Sequence, residues 1–218
     1  MIFGLNFTFL SKYWFYYMDG LKVTLQLAFW TLILSSIVGV IMGMIRVQNY
    51  KIISTIIDWW INFIRGVPIM VQIFIVYYGI ATSLPQFWAA VVSLTVNSSV
   101  YIAEHTRAGM QAVNKGQMEA ARSLGLSYGK AMRKVILPQA FRTMLPSIIN
   151  QFIISLKDTS LVSVIGPREL TQNGKIIAAN SASMVMPIWI CVALFYLVVC
   201  TILSRIAKYV ERRVSYGK

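Results

Sequence analysis

An all-α integral membrane protein of five transmembrane helices is the fold class this sequence predicts, with the N-terminus outside and the C-terminus cytoplasmic. An apolar composition, five apolar runs of span length and a lopsided placement of cations carry that expectation. Of the 218 residues, 57% are hydrophobic and 12% charged, and the mean hydropathy is +0.66. A water-soluble domain with so little charge would aggregate. A helix of about 20 apolar residues crosses a bilayer, and such runs fall near residues 21–45, 59–80, 88–106, 143–165 and 184–204. No linker or internal repeat divides the chain, so residues 1–218 read as a single membrane domain.

The first span contains Gly39 and Gly43, a G-x-x-x-G spacing that allows close helix approach. Residues 1–10 ahead of it are apolar but carry neither a cationic lead-in nor a small-residue cleavage site, so the first span is expected to provide targeting. Trp14, Trp59, Trp60 and Trp88 fall near span ends, where aromatic rings anchor at the membrane interface. The last span holds both cysteines, Cys191 and Cys200, nine residues apart and without metal-ligand spacing; they read as packing residues.

Orientation follows from the cations, which concentrate in cytoplasmic connections. Arg46 and Lys51 follow the first span. Arg107, Lys115, Arg122, Lys130, Arg133, Lys134 and Arg142 follow the third, and Arg205, Lys208, Arg212, Arg213 and Lys218 follow the fifth. These are 14 of the 20 Lys and Arg residues. The net charge of +13 therefore reflects insertion and anionic lipid rather than nucleic-acid binding, for which no zinc-finger, RRM or helix-turn-helix pattern is present.

The connector at residues 107–142 is too patterned to be a plain loop. A short helix at 117–124 offers little bulk at Ala120 and Ala121; Gly125 closes it, being the residue that takes the left-handed conformation without strain, with Leu124 and Leu126 as flanking apolar contact. Ser127 then caps a second helix over 128–137, and Pro138 fits the first turn of the next segment, where its missing N–H costs nothing. The nearest approach to a phosphate-binding loop is Gly125-Leu-Ser-Tyr-Gly129-Lys130-Ala131. It is one residue short between the glycines and lacks the magnesium-binding hydroxyl, so the chain holds no nucleotide site.

The string Gly116-Gln-Met-Glu-Ala-Ala-Arg-Ser-Leu-Gly-Leu-Ser127, followed by Val135-Ile-Leu-Pro-Gln-Ala140, resembles the EAA loop of permease subunits of ATP-binding-cassette importers, polar amino-acid branch. GLKVTLQLA at 20–28, RGVP at 65–68 with Gln72, AEHTRAG at 103–109 and LKDTSLVSVIG at 156–166 extend the resemblance over most of the chain. His105 departs from the pattern, standing where an apolar residue is expected, and receives no role. The resemblance implies the type I importer permease fold and an ATPase-coupling role for Glu119, Ala120, Ala121, Gly125 and Leu126. It also implies a second permease copy or paralogue, a pair of ABC ATPase subunits that bind ATP and Mg, and an extracytoplasmic amino-acid-binding protein, in the bacterial cytoplasmic (inner) membrane. No cofactor is expected in this chain itself.

Polar residues at membrane depth mark what could pass through, because they are costly in hydrocarbon and face a cavity or a partner helix. Ser93, Asn97, Tyr101 and Glu104 share one face of the third span, and Ser147, Gln151, Ser155 and Asp158 one face of the fourth. Gln72, Asn97, Ser98, Gln151, Ser155, Asp158 and Ser160 are the candidate substrate-pathway residues. Interhelical hydrogen bonding accounts equally well for the Ser, Asn and Gln members, and pairing with Lys157 competes for Asp158. The run Lys157-Asp158-Thr159-Ser160 is also a place where the helix could open and present backbone groups.

The alternative is a stand-alone secondary amino-acid transporter or channel. An ion-driven carrier needs several acidic groups at mid-depth, and only Glu104 and Asp158 offer themselves. An intramembrane enzyme needs a nucleophile–base pair or metal ligands, which one histidine and two lipid-depth cysteines do not supply. A cationic substrate would call for more acidic groups than Asp158, so the cavity favours a neutral polar amino acid such as glutamine.

Overall fold

Every element among the described residues of the computed structural model, residues 9–48 and 50–215, is helical. Lys218 and most of the apolar 1–10 stretch lie outside them. In hydrocarbon no water is available to the backbone, and a helix satisfies its own N–H and C=O groups. The α-helices are α1 (Phe9–Val47), α2 (Lys51–Gly66), α3 (Ile69–Ile75), α4 (Gln86–Gln111), α5 (Lys115–Ser123), α6 (Tyr128–Ala131), α7 (Leu137–Asp158), α8 (Leu170–Ala179) and α9 (Val185–Ser215).

Among the described residues, three helical stretches are long and apolar enough to cross a membrane: Leu10–Val47, Tyr128–Ile165 and Val185–Arg213. The pair Lys51–Gly66 and Ile69–Ile80, bent by 108°, makes a fourth if it counts as one span. Helix α4 corresponds to the expected third span and has 26 residues. It is absent from that set because Ser93, Thr95, Asn97, Ser98 and Ser99 dilute its apolar content. Those hydroxyls are partly neutralised locally: Ser93 Oγ donates to the Ala89 carbonyl at 2.8 Å and Ser99 Oγ to that of Val96 at 3.0 Å.

Several expected boundaries require correction. The first span starts before residue 21, because the helix runs unbroken from Phe9. The expected second span, 59–80, is broken at Val67 and Pro68, both in extended conformation. Proline disfavours α geometry in the residue before it and cannot donate to the preceding turn. The expected fourth span, 143–165, continues back to Tyr128, so the connector's second helix and the span are one stretch. A π-turn at Met132–Ile136 lies just ahead of Pro138, where the Leu137 amide reaches five residues back to the Met132 carbonyl. The last span continues past 204 to Ser215.

The chain forms two compact units. One gathers α1 up to Leu32 with Pro68–Thr95 and Ile153–Ser204. Its core is Tyr17, Leu170, Ile177, Ile188, Cys191 and Val192, with the Tyr17 and Phe195 rings stacked at 5.4 Å. Helix α8 is tied to α1 by polar bonds as well: the Leu170 amide donates to Thr24 Oγ1 at 3.1 Å, and Asn173 Nδ2 to the Tyr16 carbonyl at 2.7 Å. The other unit comprises Ile33–Val67, Val96–Phe152 and α9 beyond Ser204. It is centred on Ile61, Ile64, Val100 and Ala103, with Met42, Ile57, Val96 and Tyr101 against them.

Apolar side chains also cover the outside. The most apolar window of α9 has a mean hydropathy of 2.5 yet only 22% of it is buried, leaving Leu194, Leu197, Val198, Ile202 and Ile206 exposed. Such a surface requires lipid or another protein against it.

In the second unit the G-x-x-x-G pair of α1 packs directly on α4. A Cβ on Gly39 would lie 2.6 Å from the Ser99 carbonyl oxygen, and one on Gly43 2.6 Å from Thr106 Cβ and 2.7 Å from the Ala103 carbonyl oxygen. Only glycine allows this approach. Gly43→Val is expected to lower stability by about 1–3 kcal/mol through overpacking, read as a reduced thermal midpoint in detergent; an unchanged midpoint would contradict the close contact.

Candidate functional site

The connector folds as its residue types dictate. Asn114 caps α5, its side-chain oxygen accepting from the Gly116 amide at 2.8 Å. At the other end Gly125 has φ +85°. Its amide bonds the Arg122 carbonyl at 3.0 Å and the Leu126 amide bonds that of Ala121 at 3.2 Å. This paired closure is the Schellman motif, which satisfies the last carbonyls of a helix. Ser127 then precedes α6, though its side chain makes no capping bond.

Of the expected coupling residues, Glu119, Ala120 and Gly125 are exposed, Leu126 is half-buried and Ala121 is buried at 5% exposure. Leu124 stands 84% exposed, so the anticipated apolar contact beside the glycine is absent on its side. Gln139 Nε2 reaches Gln117 Oε1 at 3.3 Å, linking the first turns of α7 back to α5. The result is a short helix, a left-handed turn and the start of a long helix, with a charged and apolar outer surface.

The expected pathway residues divide between the units. Gln72, Ser155, Asp158 and Ser160 belong to the first; Asn97, Ser98 and Gln151 belong to the second. Gln72, Asn97, Ser98, Gln151 and Ser155 are buried, whereas Asp158 and Ser160 are half-buried. The helix does not open at Asp158 as the sequence suggested. It tightens into a 3₁₀ segment, Thr159–Ile165, with Thr159 Oγ1 donating to the Leu156 carbonyl at 2.7 Å. His105 is half-buried, and Cys191 joins the first unit's core while both cysteines remain free thiols.

Two polar centres escaped the sequence. In the second unit Glu104 accepts from Arg46 Nη1 at 2.9 Å and Arg107 Nη2 at 3.0 Å, with Arg65 Nη1 at 3.9 Å. Arg46 also pairs with Asp58, and the Arg65 guanidinium lies over the Tyr101 ring. Arg46 had been counted only as an orienting cation. Its side chain is 11% exposed against 23% for Glu104 and 47% for Asp58, so removing it would leave Glu104 to Arg107 and cut the link between the two carboxylates. The available signal was Asp58, the sole acid within α2.

In the first unit the fully buried Glu169 caps α8, accepting from the Thr171 amide at 2.8 Å, the Gln172 amide at 2.6 Å and the Tyr196 hydroxyl at 3.0 Å. Glutamate is not among the preferred N-caps, so nothing in Pro167-Arg-Glu169 announced it. Burial pushes this carboxyl above its ordinary value, opposed by the hydrogen bonds it accepts.

A model of the family described as binding-protein-dependent transport system inner membrane component matches residues 4–216. The glutamine transport system permease protein GlnP of Escherichia coli (strain K12) is 41% identical over 203 residues, 90% of this chain and 92% of that protein. The arginine transport system permease protein ArtQ of Bacillus subtilis (strain 168) is 36% identical over 202 residues, covering 91% and 92%. A crystal structure of an amino acid ABC transporter with histidines superposes with a TM-score of 0.88 at 37% identity, over 96% of this chain and 99% of that one.

Because burial favours the protonated Glu169, the folded chain binds that proton more tightly than the unfolded chain does. This contribution to stability is present at low pH and lost as pH rises through the raised value. Glu169→Gln is expected to flatten that part of the dependence, measured as the difference between wild-type and variant melting midpoints across a pH series; parallel curves would show that the carboxyl does not titrate as described.

Proposed function

This chain belongs to the family of binding-protein-dependent transport system inner membrane components, and from that premise we propose that it is the membrane-spanning permease subunit of an ATP-driven importer of a polar amino acid. The relatives named for glutamine and arginine transport support the substrate class. The family is one of transport components, not enzymes, so hydrolysis belongs to a separate ATPase pair. Five spans are proposed, with α4 as the one too polar to be recognised by composition alone, and the cation distribution supports an N-terminus outside the bacterial cytoplasmic membrane. A second permease, a copy or a paralogue, completes the pathway, and an external binding protein delivers the substrate.

The observation that carries the coupling assignment is the elbow at α5 and Gly125. An exposed helix closed by a Schellman turn leads directly into a helical stretch that runs from Tyr128 through the π-turn to Ile165. A force applied to Glu119, Ala120, Ala121, Gly125 and Leu126 would act at the end of a lever rather than on a slack loop. Gln72, Asn97, Ser98, Gln151, Ser155, Asp158 and Ser160 remain the proposed pathway residues, each buried or half-buried within its own unit.

Gly125→Val places a β-branched residue at φ +85°, a local strain of about 1–2 kcal/mol. It is expected to leave the transmembrane fold intact while reducing ATP-dependent uptake and ATPase copurification at least tenfold. Wild-type values for both would remove the elbow from the coupling path. Asp158→Asn should lower uptake severalfold without loss of assembly, measured in proteoliposomes containing the complete complex. Unchanged uptake kinetics would make Asp158 a structural group.

A further inference from the structure

Within the first unit, Lys157, Ser160, Thr171, Trp189, Val192 and Tyr196 line a cavity of about 280 Å³. This is room for an amino acid or a lipid head group. Its polar groups are arranged with opposite hydrogen-bonding character at two places. Lys157 is exposed, and among the described residues no carboxylate forms a salt bridge with it. An ammonium offers three protons and no lone pair, and the Ser160 hydroxyl adds another donor. Asp158, its neighbour in sequence, projects about 100° away around the helix.

The other side is set by Glu169. The Tyr196 hydroxyl donates to Glu169 Oε2 at 3.0 Å, which spends the phenolic proton. Thr171 Oγ1 lies 3.2 Å from the same Tyr196 oxygen and also hydrogen-bonds Glu169, so the threonine proton has an acceptor in this cluster. Its lone pairs are then what Thr171 presents to the cavity. The buried carboxyl thus engages both hydroxyls and leaves the Thr171 oxygen an acceptor toward the cavity, while Trp189 and Val192 supply an apolar wall.

We propose that this cavity binds a zwitterionic head, with its oxyanion held by Lys157 and Ser160 and its ammonium by Thr171. Two sources share that chemistry: a free α-amino acid, and the phosphoethanolamine head of a phospholipid. The amino-acid source rests on the transport function proposed above; the lipid source does not.

The test uses the chain in its complete transport complex, in nanodiscs, without binding protein or nucleotide, so that coupling through the elbow is not interrogated. Two probes are measured side by side: radiolabelled glutamine by equilibrium binding, and phosphatidylethanolamine by native mass spectrometry from discs that also contain phosphatidylcholine. Wild type is expected to hold one of the two. Lys157→Gln and Thr171→Val should each weaken that binding at least tenfold with an unchanged melting midpoint, and Lys157→Arg should restore it to within about threefold of wild type. Loss confined to glutamine assigns the site to the amino acid; loss confined to phosphatidylethanolamine assigns it to lipid. A wild-type complex that holds neither probe, or variants that bind as wild type does, overturns the proposal. A complex that binds glutamine through Lys157 but fails in ATP-dependent uptake would instead count against the transport reading alone.

Discussion

A backbone placed in hydrocarbon must bond its own N–H and C=O groups, and most of this structure follows from that requirement. It explains why every described element is helical, and why irregular geometry occurs where side chains or neighbouring turns replace the lost bonds. The break at Val67–Pro68 needs no donor at the proline. The π-turn ahead of Pro138 carries the helix past a residue with no amide proton. Gly125 ends α5 while leaving the carbonyls of Ala121 and Arg122 paired. Each irregularity meets the requirement by a different route, although the start of α6 after the connector's turn has no side-chain cap.

The same requirement explains how much the sequence revealed. Much of the elbow was legible because its determinants are local, Ala121 for bulk and Gly125 for φ, whereas the cap expected of Ser127 and the contact expected of Leu124 do not form. The long apolar helices were legible as composition, although their ends were not. Hydropathy marks where lipid begins, whereas the helices of α1 and α9 continue past that point because nothing in the sequence stops them. Pro138 misled for a related reason. Proline suggests a boundary, but a helix that can borrow one residue in a π-turn passes through it.

What stayed hidden was long-range. Arg46, Asp58 and Glu104 belong to three helices, and Glu169 meets Tyr196 across 27 residues. No periodicity in one helix encodes such partners. The weak G-x-x-x-G signal in α1 acquired meaning only when Ser99, Ile102, Ala103 and Thr106 were found against it. The polar face of α4 was readable, yet its composition could not distinguish a hydroxyl that bonds its own helix, as Ser93 does, from one that faces a cavity.

That distinction separates structural from functional polarity inside a membrane protein. In a low-dielectric setting a charged group left without partners is costly, so polar groups are retained where neighbours satisfy them or where a ligand does. Glu104 is surrounded by Arg46, Arg65 and Arg107, and a further anion or cation arriving there would have to break existing pairs. Such a cluster fixes helices. Lys157 differs because its side chain is exposed beside a cavity, and the buried carboxyl nearest to that cavity is already committed to two amides and a phenol. A cluster whose members satisfy one another holds the chain in place, whereas one with donors and acceptors turned toward open volume has bonding capacity left for something that enters.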